Sequence, residues 1–386
     1  MLSKEILFLT SVLCIIGCAN DILSKTLANV YGFRYAFFVD QSCNILYCLI
    51  AALVPLIRVV VGVSRVDEEE VLKTPQRKFA TMGFLDALGT LFSSIGNVGT
   101  PGKYQGAISQ TLIPATMVVS ASKLGSEYTR GEVLGALIVL VGAGVAVVVP
   151  ALVERPEGNL AVISLPCICL FFLANIPMAY SNVYKETGFR DHHINVWEMT
   201  AITTFYQTML SFPLAIFQLF FSGDPSRALR GYSVAELAAN FRDGFRFSLG
   251  APGLLLLGYC GVNMAFNVAG LLVTKAGAKH GLGSVLCSMA YAVKLPISSL
   301  LFSSTLLLGD FAESISVFNV LGVLVVTTGF VLYVRKAEEA VRLRAPQVAE
   351  LLVEEPWAFH ERVVGCVSSH VVNSNTDFNC YHRLPS

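Results

Sequence analysis

Apolar residues in this chain come in long blocks. Ten of them, at 6 to 29, 35 to 57, 79 to 98, 104 to 121, 133 to 153, 161 to 184, 196 to 221, 251 to 274, 282 to 308 and 315 to 334, alternate with short polar connections. Each is close to the about 20 residues that a helix needs to cross a bilayer. The pattern predicts an all-α integral membrane protein of ten transmembrane helices. In the longest connection, residues 222 to 250, the period changes: Val234, Leu237, Ala238, Phe241 and Phe245 fall on one helical face. That stretch reads equally as a helix lying in the membrane interface or as a lid packed on the protein. After Val334 the chain turns polar, with a short amphipathic stretch from Arg342 to Val353 and a tail at 366 to 386 whose composition predicts disorder.

The blocks repeat. The fourth and ninth each hold a deep proline, Pro114 and Pro296, and thirteen residues beyond each comes a polar turn, at Glu127 and Gly309. The fifth and tenth then carry glycines at one separation, Gly135 and Gly142 in one, Gly322 and Gly329 in the other. Five helices per unit is an odd number, so the second unit must be inserted upside down relative to the first, as in many transporters. The expected organisation is a first repeat over 1–153, a second over 154–335 with its luminal loop at 222–250, and a cytosolic tail over 336–386. The uncharged, glycine-bearing fifth and tenth blocks are expected to pack together away from any polar pathway.

Composition sharpens this picture. Hydrophobic residues make up 54% and charged residues 14% of the chain, against roughly a quarter charged in soluble domains, and mean hydropathy is +0.64. Lys plus Arg equals Asp plus Glu, so no basic surplus points to nucleic acid. Eight of the ten cysteines lie in apolar blocks, where Cys is a small packing residue. Cys366 and Cys380 with His370 and His382 match no zinc spacing. No metallohydrolase, nucleophile-elbow or phosphate-loop motif is present, so no enzyme activity, cofactor or metal is expected. The five residues before Ile6 are too few for a usual cleavable leader, so targeting is internal or the start is truncated.

Placing the amino terminus in the cytosol puts sixteen Lys or Arg in the inner segments and four, Lys25, Arg34, Lys103 and Arg155, in the short outer loops. That bias orients both termini to the cytosol.

With Lys25 assigned to the first outer loop, the blocks contain five charged side chains: Asp21, Asp40, Asp86, Glu198 and Lys294. An ion at bilayer depth costs at least about 2.5 kcal/mol, so a polar cavity is expected. Asp86 lies about 12 Å in from the inner side at 1.5 Å per residue, and Lys294 lies midway along the ninth block. Three arrangements stay open for these two: a mutual pair that a substrate carboxylate displaces, a permanent structural pair, or separate facing toward water. Asp40 and Glu198 sit near block ends, where ordinary interfacial solvation is expected. No His lies within a block, so proton coupling would rest on carboxylates, with Asp86 and Asp21 the first candidates. Asn20, Asn175, Tyr206 and the residues Gln110, Tyr180, Asn182, Gln207, Asn263 and Asn267 are expected to face the bundle interior, about half of them as helix-to-helix contacts. The substrate-binding set is Asn20, Asp21, Asp86, Gln110, Tyr180, Asn182, Gln207, Asn263, Asn267 and Lys294.

Several segments resemble the chloroquine-resistance-transporter-like (CRT-like) family of the drug/metabolite transporter superfamily. They are CIIGCANDILSKTLAN, FATMGFLDALGTLFSSIGNVGTPGKYQGAISQTLIPATM, ANIPMAYSNVYKE, INVWEMTAITTFYQTMLSFP and VAELAANFRDGF, in order across residues 6 to 335. The resemblance implies ten helices in two inverted halves, a vacuole-like, lysosome-like or plastid membrane, and proton-linked movement of small organic solutes by alternating access. Amino acids, peptides, thiols such as glutathione and amphipathic cations are the solutes it implies. In relatives the fifth and tenth helices can dimerise; a monomer is favoured here. The chain departs from the parasite branch in having no Cys in residues 222 to 250, and Lys294 is not expected at its place in the family. A nucleotide-sugar or sugar-phosphate antiporter is the alternative, disfavoured because Lys294 is the one cation in the blocks; a membrane enzyme or scaffold comes third.

Overall fold

The computed structural model describes residues 4–61, 75–153, 165–191, 194–224, 227, 230–278, 287, 294, 297–298, 300–309 and 312–354. The main helices are α1 (Lys4–Tyr31), α2 (Ala36–Val60), α3 (Gln76–Gly99), α4 (Gly102–Ser109), α5 (Leu112–Leu124), α6 (Arg130–Val153), α7 (Leu165–Leu173), α8 (Asn175–Asp191), α9 (Val196–Leu214), α10 (Val234–Phe247), α11 (Ala251–Ala278) and α12 (Val317–Glu354). Seven stretches are long and apolar enough to cross a bilayer: Phe8–Tyr31, Phe33–Arg58, Gln76–Gly99, Arg130–Pro150, Leu165–Arg190, Ala251–Ala278 and Val317–Ala337. The protein is therefore an all-α, multi-pass membrane protein. The fourth and seventh apolar blocks are helical too, the fourth as α4 and α5 and the seventh as α9. Much of the ninth, Pro296 included, and everything after Glu354 lie outside the described residues.

Two helices break where proline dictates. A helical proline removes one backbone hydrogen bond, and its ring collides with the carbonyl four residues earlier. Pro114 acts on Gln110, and α4 gives way to α5 at Gln110 and Thr111; Pro177 acts on Leu173, where α7 ends. The two breaks are stitched together by Asn175, whose Nδ2 donates to Ile108 O at 3.1 Å and to Thr111 Oγ1 at 2.9 Å.

The glycines of α6 and α12 do what their spacing predicts. A Cβ on Gly135 would stand 2.8 Å from the Gly329 carbonyl, and one on Gly329 would stand 2.8 Å from the Gly135 carbonyl. Gly142 and Gly322 face each other one heptad further along, so the helices run antiparallel in backbone contact. Neither helix contributes to the polar cavity described below.

The near face of the bundle is the one at which α1 begins, and the far face the one at which it ends. At the far face, Lys25 is buried inside the bundle rather than in a loop: its ammonium donates to Asn97 O, Val98 O and Thr100 O at 3.0, 3.4 and 2.8 Å. These are the orphan carbonyls at the end of α3, where a cation is favoured. Beside it, Glu313 accepts from Gly102 N at 2.6 Å and Lys103 N at 2.8 Å, placing a carboxylate on the first turn of α4. One helix end thus takes a cation and the next takes an anion.

The amphipathic stretch of the long connection is α10, and it uses two faces. Gly244 lies on the Phe38 ring, Phe241 packs on Phe37 and Phe38, and Arg34 donates to Asn240 at 3.0 Å and to Asp243 at 2.8 Å. Val234 and Phe245, about 70° away on the helical wheel, remain exposed beside Leu249. Its start carries a reciprocal Ser233–Glu236 capping box. The hydrogen bond from the Ser233 backbone, aided by Arg227, holds the Glu236 carboxyl below the ordinary 4.5.

Two expectations about helix ends change. α8 runs on through Lys185 and Arg190 to Asp191 instead of stopping at 184, and α12 continues unbroken through the Arg342 to Val353 stretch.

Candidate functional site

Helices α1, α2, α3, α4, α5, α7, α8, α9 and α11, with Cys287 and Lys294, surround a cavity of about 340 Å³. It reaches Tyr31, Gly32 and Ala36 at the far face and extends inward to Lys185, Thr274 and Cys287. Toward the near face, Phe79, Met82, Phe189, Ile194, Val196, Met199 and Ala278 pack into an apolar seal. Gly188 is part of that seal, since a Cβ there would come 2.8 Å from the Met199 methyl.

The walls are polar because each wall helix places amides and hydroxyls at helical spacing. On α9, Thr200, Thr204, Thr208 and Ser211 each bond a backbone carbonyl three or four residues earlier, which lets hydroxyls sit in an apolar bundle without an unmet donor. On α11, Asn263 Nδ2 donates to the Tyr259 hydroxyl at 2.7 Å and Asn267 Nδ2 donates to Asn263 Oδ1 at 2.5 Å, an i to i+4 ladder. On α8, Asn175, Met178, Asn182 and Lys185 follow one another at three or four residues on the cavity side.

Two ion pairs stand in the walls. Lys294 Nζ lies 2.7 Å from Asp21 Oδ1, and Ser298 Oγ donates to Asp21 Oδ2 at 3.0 Å. The lysine also lies 5.1 Å from the centre of the Phe266 ring, and Gly17 makes room for it, since a Cβ there would be 3.0 Å from Lys294 Cδ. Lys185 Nζ lies 2.7 Å from Asp86 Oδ2, with the lysine and aspartate side chains 15% and 17% exposed. Both pairs are shielded from bulk water yet border open space, where charge is costly unless paired.

Of the expected substrate-binding residues, Asn20, Asp21, Asp86, Asn182, Gln207, Asn263, Asn267 and Lys294 line this one cavity. Gln110 and Tyr180 do not. Gln110 is fully buried and donates to Gly106 O at 3.1 Å, at the proline-induced break; Tyr180 packs on Leu112, Val119, Ala179 and Val183. The conjectured Asp86 to Lys294 contact is replaced by two separate pairs, because Lys294 is next to α1 and Lys185 next to α3.

Lys185 is the functional candidate that hydropathy missed. The polar run after Asn182 ends the apolar window, although the spacing of Asn175, Asn182 and Lys185 on one face was there to be read. Asp40, expected at a solvated edge, is 4% exposed and lines the cavity. Glu198 is 3.9 Å from Arg58 at the near face, a partly shielded pair rather than a freely solvated side chain.

Comparison with known proteins places this architecture. Residues 6–255 match the family model described as CRT-like, chloroquine-resistance transporter-like. The chain is 28% identical to Crt homolog 1 of Dictyostelium discoideum over 84% of this chain and 71% of that protein. It is 27% identical to the Chloroquine resistance transporter of Toxoplasma gondii over 69% of this chain and 31% of that one, and 25% identical to Protein CLT2, chloroplastic, of Arabidopsis thaliana over 83% and 74%. A crystal structure 20% identical in sequence superposes with a TM-score of 0.51 over 86% of this chain and 99% of its own, which shows a shared fold.

Proposed function

We propose that this chain, which belongs to the CRT-like family and is a membrane transporter, carries small organic solutes across an organellar membrane by alternating access driven by a proton gradient. The observation that supports this most is the cavity itself: two ion pairs and a set of amides converge on one space that is sealed by apolar side chains at one face. A solute bearing both an amine and a carboxylate meets a cation and an anion at each pair, and exchanging ionic partners lets it bind without leaving a buried charge unmet. Asn20, Asn182, Gln207, Asn263 and Asn267 would orient its neutral polar groups. Asp86 and Asp21, the carboxylates expected from sequence to carry the proton, each hold a lysine.

The reading includes ten helices in two inverted halves. The reciprocal approach of Gly135 to Gly329 and of Gly142 to Gly322 supports it, since a two-fold axis in the membrane plane makes the fifth and tenth helices equivalent and antiparallel. The contact of α1 with Lys294 and Ser298 has its counterpart in that of α8 with the α4–α5 break through Asn175. With both termini in the cytosol, the far face is luminal and the apolar seal cytosolic. The plastid and vacuole types of membrane both suit this reading, and the chain would work as a monomer. A sugar-phosphate antiporter fits less well, because its doubly charged substrate needs cations in excess, whereas both lysines here are matched by aspartates.

The test is uptake into proteoliposomes under an imposed pH gradient, screening amino acids, short peptides, glutathione and basic amines. Saturable, gradient-dependent uptake of one class is expected. Uptake of none of them, with gradient-independent passage of sugar phosphates, overturns the reading.

A further inference from the structure

Asp40 differs from the other carboxylates of the cavity. Its side chain is buried, and its one hydrogen bond among the described residues is a long one, from Ser94 Oγ at 3.4 Å. Among the described residues no cation lies within ion-pairing distance of it. Among the described residues, the titratable side chains that face it are the acids Cys43 and Tyr47 on α2 itself, next to Tyr259 and Cys260 on α11, where the Cys260 and Cys43 sulfurs are 3.3 Å apart; the buried Lys25 of α1 is taken up by the carbonyls of Asn97, Val98 and Thr100 at the end of α3. The helix α9 packed against α2 presents the uncharged Gln207, Thr208 and Ser211. The charges nearest the ends of α2, Arg34 with Asp243 and Arg58 with Glu198, pair with each other. The cavity lysines 185 and 294 hold Asp86 and Asp21.

A second, independent feature lies on the same face of α2. Asn44 and Tyr47, four and seven residues on, line the cavity and are 2% and 8% exposed, yet Asn44 Nδ2 and the Tyr47 hydroxyl have no hydrogen-bond partner among the described residues. Buried polar atoms are nearly always satisfied. Two unpartnered polar atoms beside a carboxylate with one long hydrogen bond, all on residues that line the cavity, mark a place built around something that is brought in. A lone buried carboxylate must be neutralised, either by a proton or by an arriving positive charge.

We propose that Asp40 is the cavity's cation-binding carboxylate: it holds a proton when no solute is bound and gives that proton up in exchange for a monovalent organic cation. The Tyr47 hydroxyl and aromatic face flank the cation, and Asn44 donates to an acceptor on the same solute. Exchange of proton for cation at one carboxylate couples their movements, because the two cannot occupy it together. The inference rests on the transporter reading only for its consequence, since binding itself requires no transport.

The test uses the full chain in detergent, weakly buffered, with tetraphenylphosphonium as the probe. Binding to the unaltered protein is expected to release about one proton per bound cation, and Asp40→Asn is expected to release none and to bind at least tenfold more weakly. Dicyclohexylcarbodiimide, which modifies protonated carboxyls in apolar surroundings, needs no variant: it is expected to label Asp40, and tetraphenylphosphonium is expected to slow that labelling. Proton release that persists in Asp40→Asn, labelling of Asp40 indifferent to the cation, or no binding to the unaltered protein each overturns the proposal. Proton release with no gradient-driven uptake of any solute supports the cation site and counts against the transporter reading; uptake with unchanged pH dependence in Asp40→Asn does the reverse.

Discussion

Asp21 and Lys294 stand 273 positions apart in the chain and 2.7 Å apart in space. Their pairing fastens α1 to the ninth apolar block at the wall of the cavity, and Ser298 completes the carboxylate's shell. Because the lysine is only 5% exposed, removing either partner alone leaves a charge without its counter-ion. Lys294→Met is expected to lower stability by about 3 kcal/mol, the lower end for a buried pair because Asp21 keeps a fifth of its surface. Asp21→Asn combined with Lys294→Met should recover most of that loss. Thermal unfolding in detergent checks both, and a double variant as unstable as the single one contradicts the pairing.

The second pair governs solute charge. Lys185→Gln takes away the one cation on α8 that lines the cavity, so uptake of solutes with a carboxylate is expected to fall about tenfold or more, the equivalent of about 1.4 kcal/mol. Basic amines should be affected less. Concentration-dependent uptake of an anionic and a cationic solute by the same vesicles decides it; equal losses for both place Lys185 in a purely structural role.

Much of this arrangement was legible in the sequence. Block lengths gave seven helices of bilayer length, and the spacing of Gly135 and Gly142 against Gly322 and Gly329 gave the antiparallel contact of α6 with α12, because only a missing side chain admits backbone at 2.8 Å. Eight of the ten polar residues expected to bind substrate do line the cavity, whereas Asn44, Tyr47, Thr90 and Thr203 on the same walls were not among them. What was hidden depended on partners distant in the chain. Nothing local to Asp86 says that its lysine comes from α8 rather than from the ninth block. Lys185 fell beyond the apolar window because a helix lining a polar cavity continues past the point at which its composition stops looking membranous. Asp40, one turn inside α2, reads as solvated from its position near a block end, whereas its burial depends on distant chain, with Ser94 of α3 brought against it.

The glycine contact makes its own prediction. Gly142→Leu would force a side chain into a place where even a Cβ meets Val326 N at 2.6 Å, and such overpacking costs about 1–3 kcal/mol. Gly144→Ala, with nothing within 4 Å of the new atom, should be tolerated or slightly stabilising, since alanine favours helix by up to about 1 kcal/mol. Melting temperatures of the two variants in one detergent compare them directly.

Acid stability of α10 follows from its cap. A carboxyl held below its ordinary value in the folded state contributes stability that is present above that ordinary value and is lost as pH falls through the lower, folded one. For Glu236 that window lies below 4.5. Amide exchange across residues 234–247 should therefore be unchanged between pH 7 and 5, and Glu236→Gln should raise exchange at both. Loss of protection in the unaltered protein already at pH 5.5 contradicts the assignment.

The account stands on the cavity between the two ion pairs being where solute binds. A cryo-electron microscopy structure of the full chain with a transported solute at saturating concentration tests this most directly. Density bridging the space between Asp86–Lys185 and Asp21–Lys294 is the predicted result. A solute seated elsewhere, with both pairs and the space between them unchanged while uptake remains saturable, contradicts it.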